Sequence, residues 1–121
     1  MDTQQIASAL GDYCRQEDWE KAYRELYSPY IVSIETGDTS NMGHLEGMEE
    51  LMKKGAWWAE TFEVHEIGVS DPIVADNWFA VRFTMDTTHK PSGQRSTTSE
   101  IAVYQVEDGK VVREQFFYDR E

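Results

Sequence analysis

Residues 77–119 read NWFAVRFTMDTTHKPSGQRSTTSEIAVYQVEDGKVVREQFFYD. Phe79, Val81, Phe83 and Met85 alternate with Trp78, Ala80, Arg82 and Thr84, a period of two that only a strand satisfies. Both alternating sets carry an aromatic residue, so both faces of this strand are expected to be covered. His89 to Gln94 (HKPSGQ) places Pro91 and Gly93 in turn positions and predicts a hairpin loop. STTSEIAVYQV is the next strand, Glu107-Asp108-Gly109 a tight turn, and KVVREQFFYD the last strand. Three strands in succession with short connections predict an antiparallel meander.

Working back toward the N-terminus, TFEVHEIGV (61–69) also alternates, Asp71-Pro72 turns the chain, and Asp76-Asn77 turns it again. Before Thr61 the period changes. Met48, Leu51, Met52 and Gly55 share one face of a helix that follows Gly47 and carries Trp57 and Trp58 near its end. Residues 36–46, TGDTSNMGHLE, read as a polar loop, and Tyr30 to Glu35 (YIVSIE) as a strand rich in β-branched residues. Trp19, Ala22, Tyr23, Leu26 and Tyr27 form a helical stripe after Asp18, with Pro29 expected to end it. Residues 3–15 carry Ile6, Leu10, Tyr13 and Cys14 at helical spacing, with Asp2 or Thr3 as N-cap. The expectation is an α+β fold in one domain spanning residues 1–121: three N-terminal helices packed on a strongly curved, mainly antiparallel sheet whose open end forms a cone-shaped pocket.

Composition excludes several functions. Eleven Lys and Arg against 23 Asp and Glu give a net charge of −12, which opposes binding to nucleic acid and to anionic membrane surfaces. No run approaches the roughly 20 apolar residues that span a bilayer. The start, MDTQQIASAL, has no basic segment before an apolar one, so a cytoplasmic location is expected. Cys14 is the only cysteine, which removes disulfides and cysteine-based zinc sites. His44, His65 and His89 stand far apart with no HExxH pattern, so neither a metal nor another cofactor is expected. There is no GxSxG elbow, phosphate loop or dinucleotide fingerprint.

The ending of the second helix, ELYSPYIVSIE, Gly47 before a helix, NWFAVRFTMD and VYQVEDGKVVREQFFYD together resemble the nuclear transport factor 2-like superfamily, which shares the cystatin-like fold. More narrowly they resemble its SnoaL-like proteins, named for a polyketide cyclase, over essentially the whole chain. That resemblance implies a small-molecule pocket and a homodimer. It also implies a range of activities across isomerases, cyclases, hydrolases and dehydratases. Similarity to ketosteroid isomerase implies a general base at Glu35, on the first strand. It also places Glu114, Phe116 and Tyr118 of the last strand on the pocket side and turns Lys54 inward. The isomerase's oxyanion carboxyl falls at Ala102, with Glu100 and Tyr104 two residues to either side.

Read from the residues alone, Glu35 shares a face with Ile31 and Ser33, Glu100 with Ala102, Tyr104 and Val106, and Glu114 with Val112, Phe116 and Tyr118. Each carboxyl is either a solvated strand-end group or a cavity group with a raised pKa. Arg82 and Lys54 sit in hydrophobic surroundings, and a buried Arg82 needs a carboxylate from Glu35, Glu100, Glu114 or Asp86. His65 is either a cavity acid–base group or a partly exposed strand residue, and Trp57-Trp58 either walls a flat ligand or packs the core. The expected catalytic set is Glu35, Tyr118 and Glu114. Lys54, Trp58, His65, Arg82, Glu100, Tyr104 and Phe116 are expected to line the pocket. The expected ligand is a small apolar or mixed-polarity molecule. The expected activity is acid–base isomerisation, cyclisation or dehydration, with non-catalytic small-ligand binding or dimerisation as the alternative.

Overall fold

The computed structural model describes residues 1–36 and 43–119. Two helices open the chain, α1 (Thr3–Arg15) and α2 (Trp19–Leu26), followed by β1 (Tyr27–Ile34) and β2 (His44–Glu46). After α3 (Met48–Thr61) come β3 (Phe62–Val69), β4 (Ile73–Ala75), β5 (Trp78–His89), β6 (Gln94–Glu107) and β7 (Lys110–Phe117). Asp2 caps α1 in a reciprocal box with Gln5, and Asp18 caps α2 by accepting from the backbone of Lys21.

The described strands form one mixed sheet in the order β2-β1-β7-β6-β5-β3, with β4 paired to β5. The expected meander is present: β3, β5, β6 and β7 pair antiparallel in sequence. β1 then pairs parallel with β7, bringing the two ends of the fold together.

Two boundaries and one strand face differ from the sequence reading. Helix α2 stops at Leu26, and Tyr27 already belongs to β1, where it is buried. Pro29 therefore does not end a helix. It falls inside β1, within the register break between Tyr27 and Val32, where a missing N–H disturbs no regular ladder. His44–Glu46, expected as loop, pairs with β1 as a short strand, while residues 37–42 of that loop lie outside the described residues. Val112 is not on the face of Glu114. One extra residue on β7 between its pairings to Gln105 and Val106 reverses the alternation, so Val111 and Glu114 both turn inward.

The core lies between α1 and α2 and one face of the sheet. Ile6, Leu10 and Leu26 meet Phe79, Val81, Ala102 and Val111 there, all at most 3% exposed. Phe79 and Tyr104, directly opposite on β5 and β6, stack with centroids 4.7 Å apart. Helix α3 packs differently. Leu51 is its one fully buried residue, while Lys54, Gly55 and Trp58 are half-buried because they face open space instead of the core. Gly55 lies where an added Cβ would come within 3.3 Å of the Tyr23 ring, which sets how closely α3 approaches α2.

Candidate functional site

The open space is a cavity of about 710 Å³ between the helices and the inner face of the sheet. Trp19 from α2, Trp57 and Trp58 from α3, and Phe62 from β3 make one wall. Trp58 stacks on Phe62 at 5.3 Å, and Trp19 meets Trp58 edge-on at 6.3 Å. Across from them, β5 and β6 present the hydroxyls of Thr87, Ser96, Thr98 and Ser99. Polar, charged groups occupy the remaining side.

That side is one continuous network. The chain leaves β1 at Ile34, so Glu35 stands at the strand's end, where it meets Lys54 of α3 with Nζ 2.5 Å from its carboxylate. The Tyr118 hydroxyl donates to the other Glu35 oxygen at 3.0 Å. Lys54 Nζ also donates to Ser33 Oγ at 3.3 Å, and Ser33 donates onward to Glu114 at 2.8 Å. Glu114 accepts a second hydrogen bond, at 2.5 Å, from the Tyr27 hydroxyl. The Lys54 ammonium stands 5.3 Å from the centre of the Phe116 ring, within cation–π range.

Burial governs the electrostatics. It pushes the Glu114 carboxyl above its ordinary range, while the hydroxyls of Tyr27 and Ser33 and the charge of Lys54 pull the other way. The Glu100 carboxyl is raised to about 7, by burial first and then by the charge of Glu35, with Lys54 opposing. Tyr23, Tyr27 and Tyr104 are raised well above ordinary phenols, by burial and by Glu114, and so remain hydrogen-bond donors. Cys14 also lines the cavity, but burial lifts its thiol to about 12, so it is not a thiolate nucleophile at neutral pH.

The structure gathers Glu35, Lys54, Trp58 and Glu100 around this cavity, and Tyr104, Glu114, Phe116 and Tyr118 with them. Two residues expected there lie elsewhere. Arg82 is exposed on the opposite face of β5, because Phe79, Val81 and Phe83 take the inward positions. Asp86, one of the partners expected for it, is held by Arg95 through two hydrogen bonds of 2.9 and 2.8 Å. His65 alternates with Phe62 and Val64 and so takes the other face of β3, away from the cavity, where its Nε2 lies 2.7 Å from Thr88 Oγ1. His44 is exposed beside Glu46.

Sequence reasoning missed Ser33 and Tyr27 as members of the network, and Trp19 and Phe62 as parts of the wall. A serine between Ile31 and Glu35 on the inward side of an apolar strand was the available signal for Ser33. Tyr27 carried none, because it fitted the helical stripe equally well. Among the described residues, no three His, Cys, Asp or Glu side chains are grouped to hold a metal ion.

The SnoaL-like domain family matches residues 1–118. No curated protein matches the chain. Among solved structures, a Mesorhizobium loti protein provisionally named a SnoaL-like polyketide cyclase is 35% identical, with a TM-score of 0.92 over 98% of this chain and 100% of that one. A Xanthomonas campestris protein of unknown function with a cystatin-like fold is 19% identical, with a TM-score of 0.81 over 99% and 92% of the two chains. TerC, co-crystallised with polyporic acid, is 16% identical, with a TM-score of 0.76 over 95% and 89%. The last two share the fold alone. With a family match that runs nearly end to end and a 35% identical relative that superposes over its whole length, the chain belongs to the SnoaL-like family.

Proposed function

We propose that this chain binds a small molecule in the cavity and moves a proton on it, as an isomerase, cyclase or dehydratase does. The observation that carries this reading is the Tyr118–Glu35–Lys54 cluster at the edge of an aromatic-walled cavity of about 710 Å³, a size typical of ligand sites. Glu35 is the proton acceptor: it lines the cavity at the end of β1, held there beside Lys54. Tyr118 and Lys54 donate hydrogen bonds to the oxygen on which negative charge develops once a proton leaves the neighbouring carbon. Glu114 acts from behind, holding Ser33 and through it Lys54. The hollow is proposed as the cone-shaped pocket of the fold.

The test is proton exchange. A panel of small aryl ketones and β-dicarbonyl compounds is incubated with the protein in deuterated water, and loss of the proton α to the carbonyl is followed by NMR. The wild-type chain is expected to accelerate exchange in at least one compound. Glu35→Gln is expected to return the rate to that of buffer without lowering the melting temperature by more than a few degrees. Exchange unchanged in Glu35→Gln would remove the assignment of the base, and no acceleration in any compound would favour non-catalytic ligand binding.

We also propose that the chain forms a homodimer through the outer face of the sheet. Ile101 and Phe117, directly paired across β6 and β7, are 52% and 45% exposed, and Trp78 on β5 is 43% exposed. An apolar group of this kind on an otherwise acidic surface suits a second copy of the same face.

A further inference from the structure

The proposed mechanism leaves two cavity carboxyls without a task, Glu100 and Asp119, and of these Asp119 is exposed at the rim while Glu100 is half-buried on a strand. Glu100 lines the cavity from β6, where its backbone pairs with Phe83, yet its carboxyl has no hydrogen bond or ion pair with any described residue. Its situation differs from that of Glu35, which has Lys54 and Tyr118, and of Glu114, which has Tyr27 and Ser33. The charge balance around it is one-sided. Glu35, Glu100, Glu114 and Asp119 all line the cavity, and Lys54 is the one cation among the described lining residues. The charge of Lys54 is already balanced by Glu35.

Resting on the reading of the cavity as a small-molecule site, we propose that its ligand is a cation, a protonated amine on a flat apolar body, with the ammonium at Glu100 and the body against the Trp58–Phe62 wall. An ammonium supplies the counter-charge and the donors that Glu100 lacks. The aromatic wall receives the apolar body and tolerates a nearby positive charge, since ring faces attract cations. An anionic ligand of the same shape meets the carboxylate excess instead, in a site where burial strengthens repulsion. The net charge of −12 works in the same direction at longer range, drawing cations toward the protein.

Glu100 also sets a pH dependence. Its neighbours are Glu35 and Glu114, which raise its pKa, and Lys54, which lowers it, with Tyr104 two residues along the same strand. A carboxyl raised to about 7 must give up its proton to hold an ammonium, so affinity for the cation rises between about pH 6 and pH 8.

Three probes with a common ring system test the proposal: naphthylmethylamine as cation, naphthylmethanol as neutral compound and naphthoate as anion. Binding is followed by tryptophan fluorescence and calorimetry at low and moderate salt. The amine is expected to bind at least about tenfold more tightly than naphthoate, and more tightly than the alcohol. Glu100→Gln is expected to weaken the amine at least about fivefold and to flatten its pH dependence. Glu49→Gln, which removes an exposed surface charge on α3, is expected to leave the amine's affinity unchanged. Binding of the alcohol or naphthoate as tight as that of the amine overturns the cation proposal while leaving the small-molecule reading intact. So does a loss of amine affinity in Glu49→Gln equal to that in Glu100→Gln. Failure of all three probes to bind overturns both readings.

Discussion

At Glu100 the physics of a single side chain reaches the stability of the fold. Its carboxyl titrates near 7 in the native chain, against an ordinary 4.5. Between those two values the native chain keeps a proton that the unfolded chain has released, so stability falls as pH rises through that window. The buried Glu114 adds a contribution of the same sign. Glu100→Gln, which cannot ionise, is therefore expected to be more stable than the wild type at about pH 8, by at most on the order of 3 kcal/mol, with the gain gone below about pH 4.5. Urea denaturation at the two pH values measures this, and an equal effect at both would show that Glu100 is not held out of water. Individual residues were legible in the sequence where alternation spoke clearly. Glu35, Glu100 and Tyr104 stand on the cavity side because each shares its parity with buried aliphatic or aromatic neighbours. Arg82 was not legible, because aromatic residues on both faces of β5 left the inward side undetermined until the helices covered Phe79 and Phe83.

The elements follow the sequence closely wherever a period runs for two turns or four strand residues, as in α1, β5 and β6. They depart from it where backbone irregularity interrupts the period. Each register shift, at His65 on β3 and at Val112 on β7, reverses the parity of everything beyond it, and neither is marked by a glycine or a proline. β2 escaped because three residues cannot display alternation. Gly47 is the opposite case, a residue whose local role is visible once its backbone is known. It enters α3 at φ 94° and ψ 153°, a region open almost solely to glycine, although an added Cβ would meet only Pro29 O at 3.9 Å. Gly47→Ala is expected to cost about 1–3 kcal/mol from backbone strain with no steric clash. Chemical denaturation will register this as a lower midpoint with an unchanged slope, and an unaltered midpoint would mean that the loop readjusts freely.

For the whole molecule, charge and apolar surface act together. The excess of acidic groups keeps the chain dispersed, and the Ile101–Phe117 patch gives two copies one place to meet. Sedimentation equilibrium at micromolar concentration is expected to report twice the chain mass, and Ile101→Asp, at an exposed position, is expected to report a single chain that remains folded. A wild-type monomer would reject the dimer. The pairing of β1 with β7 has a further consequence, for the order in which the molecule is made. Tyr27 and Glu114 are 87 residues apart, Glu35 and Tyr118 83, and Ser33 and Glu114 81. During synthesis β1 leaves the ribosome long before its partner, so Ser33 and Glu35 wait without the groups that will hold them. Contacts of such long sequence separation form late and slowly, after the local hairpins. A chain halted before β7 could pair β3, β5 and β6 and still lack Glu114 and Tyr118. The polar side of the cavity therefore comes into existence late, completed by β7, the last of the described strands to be made.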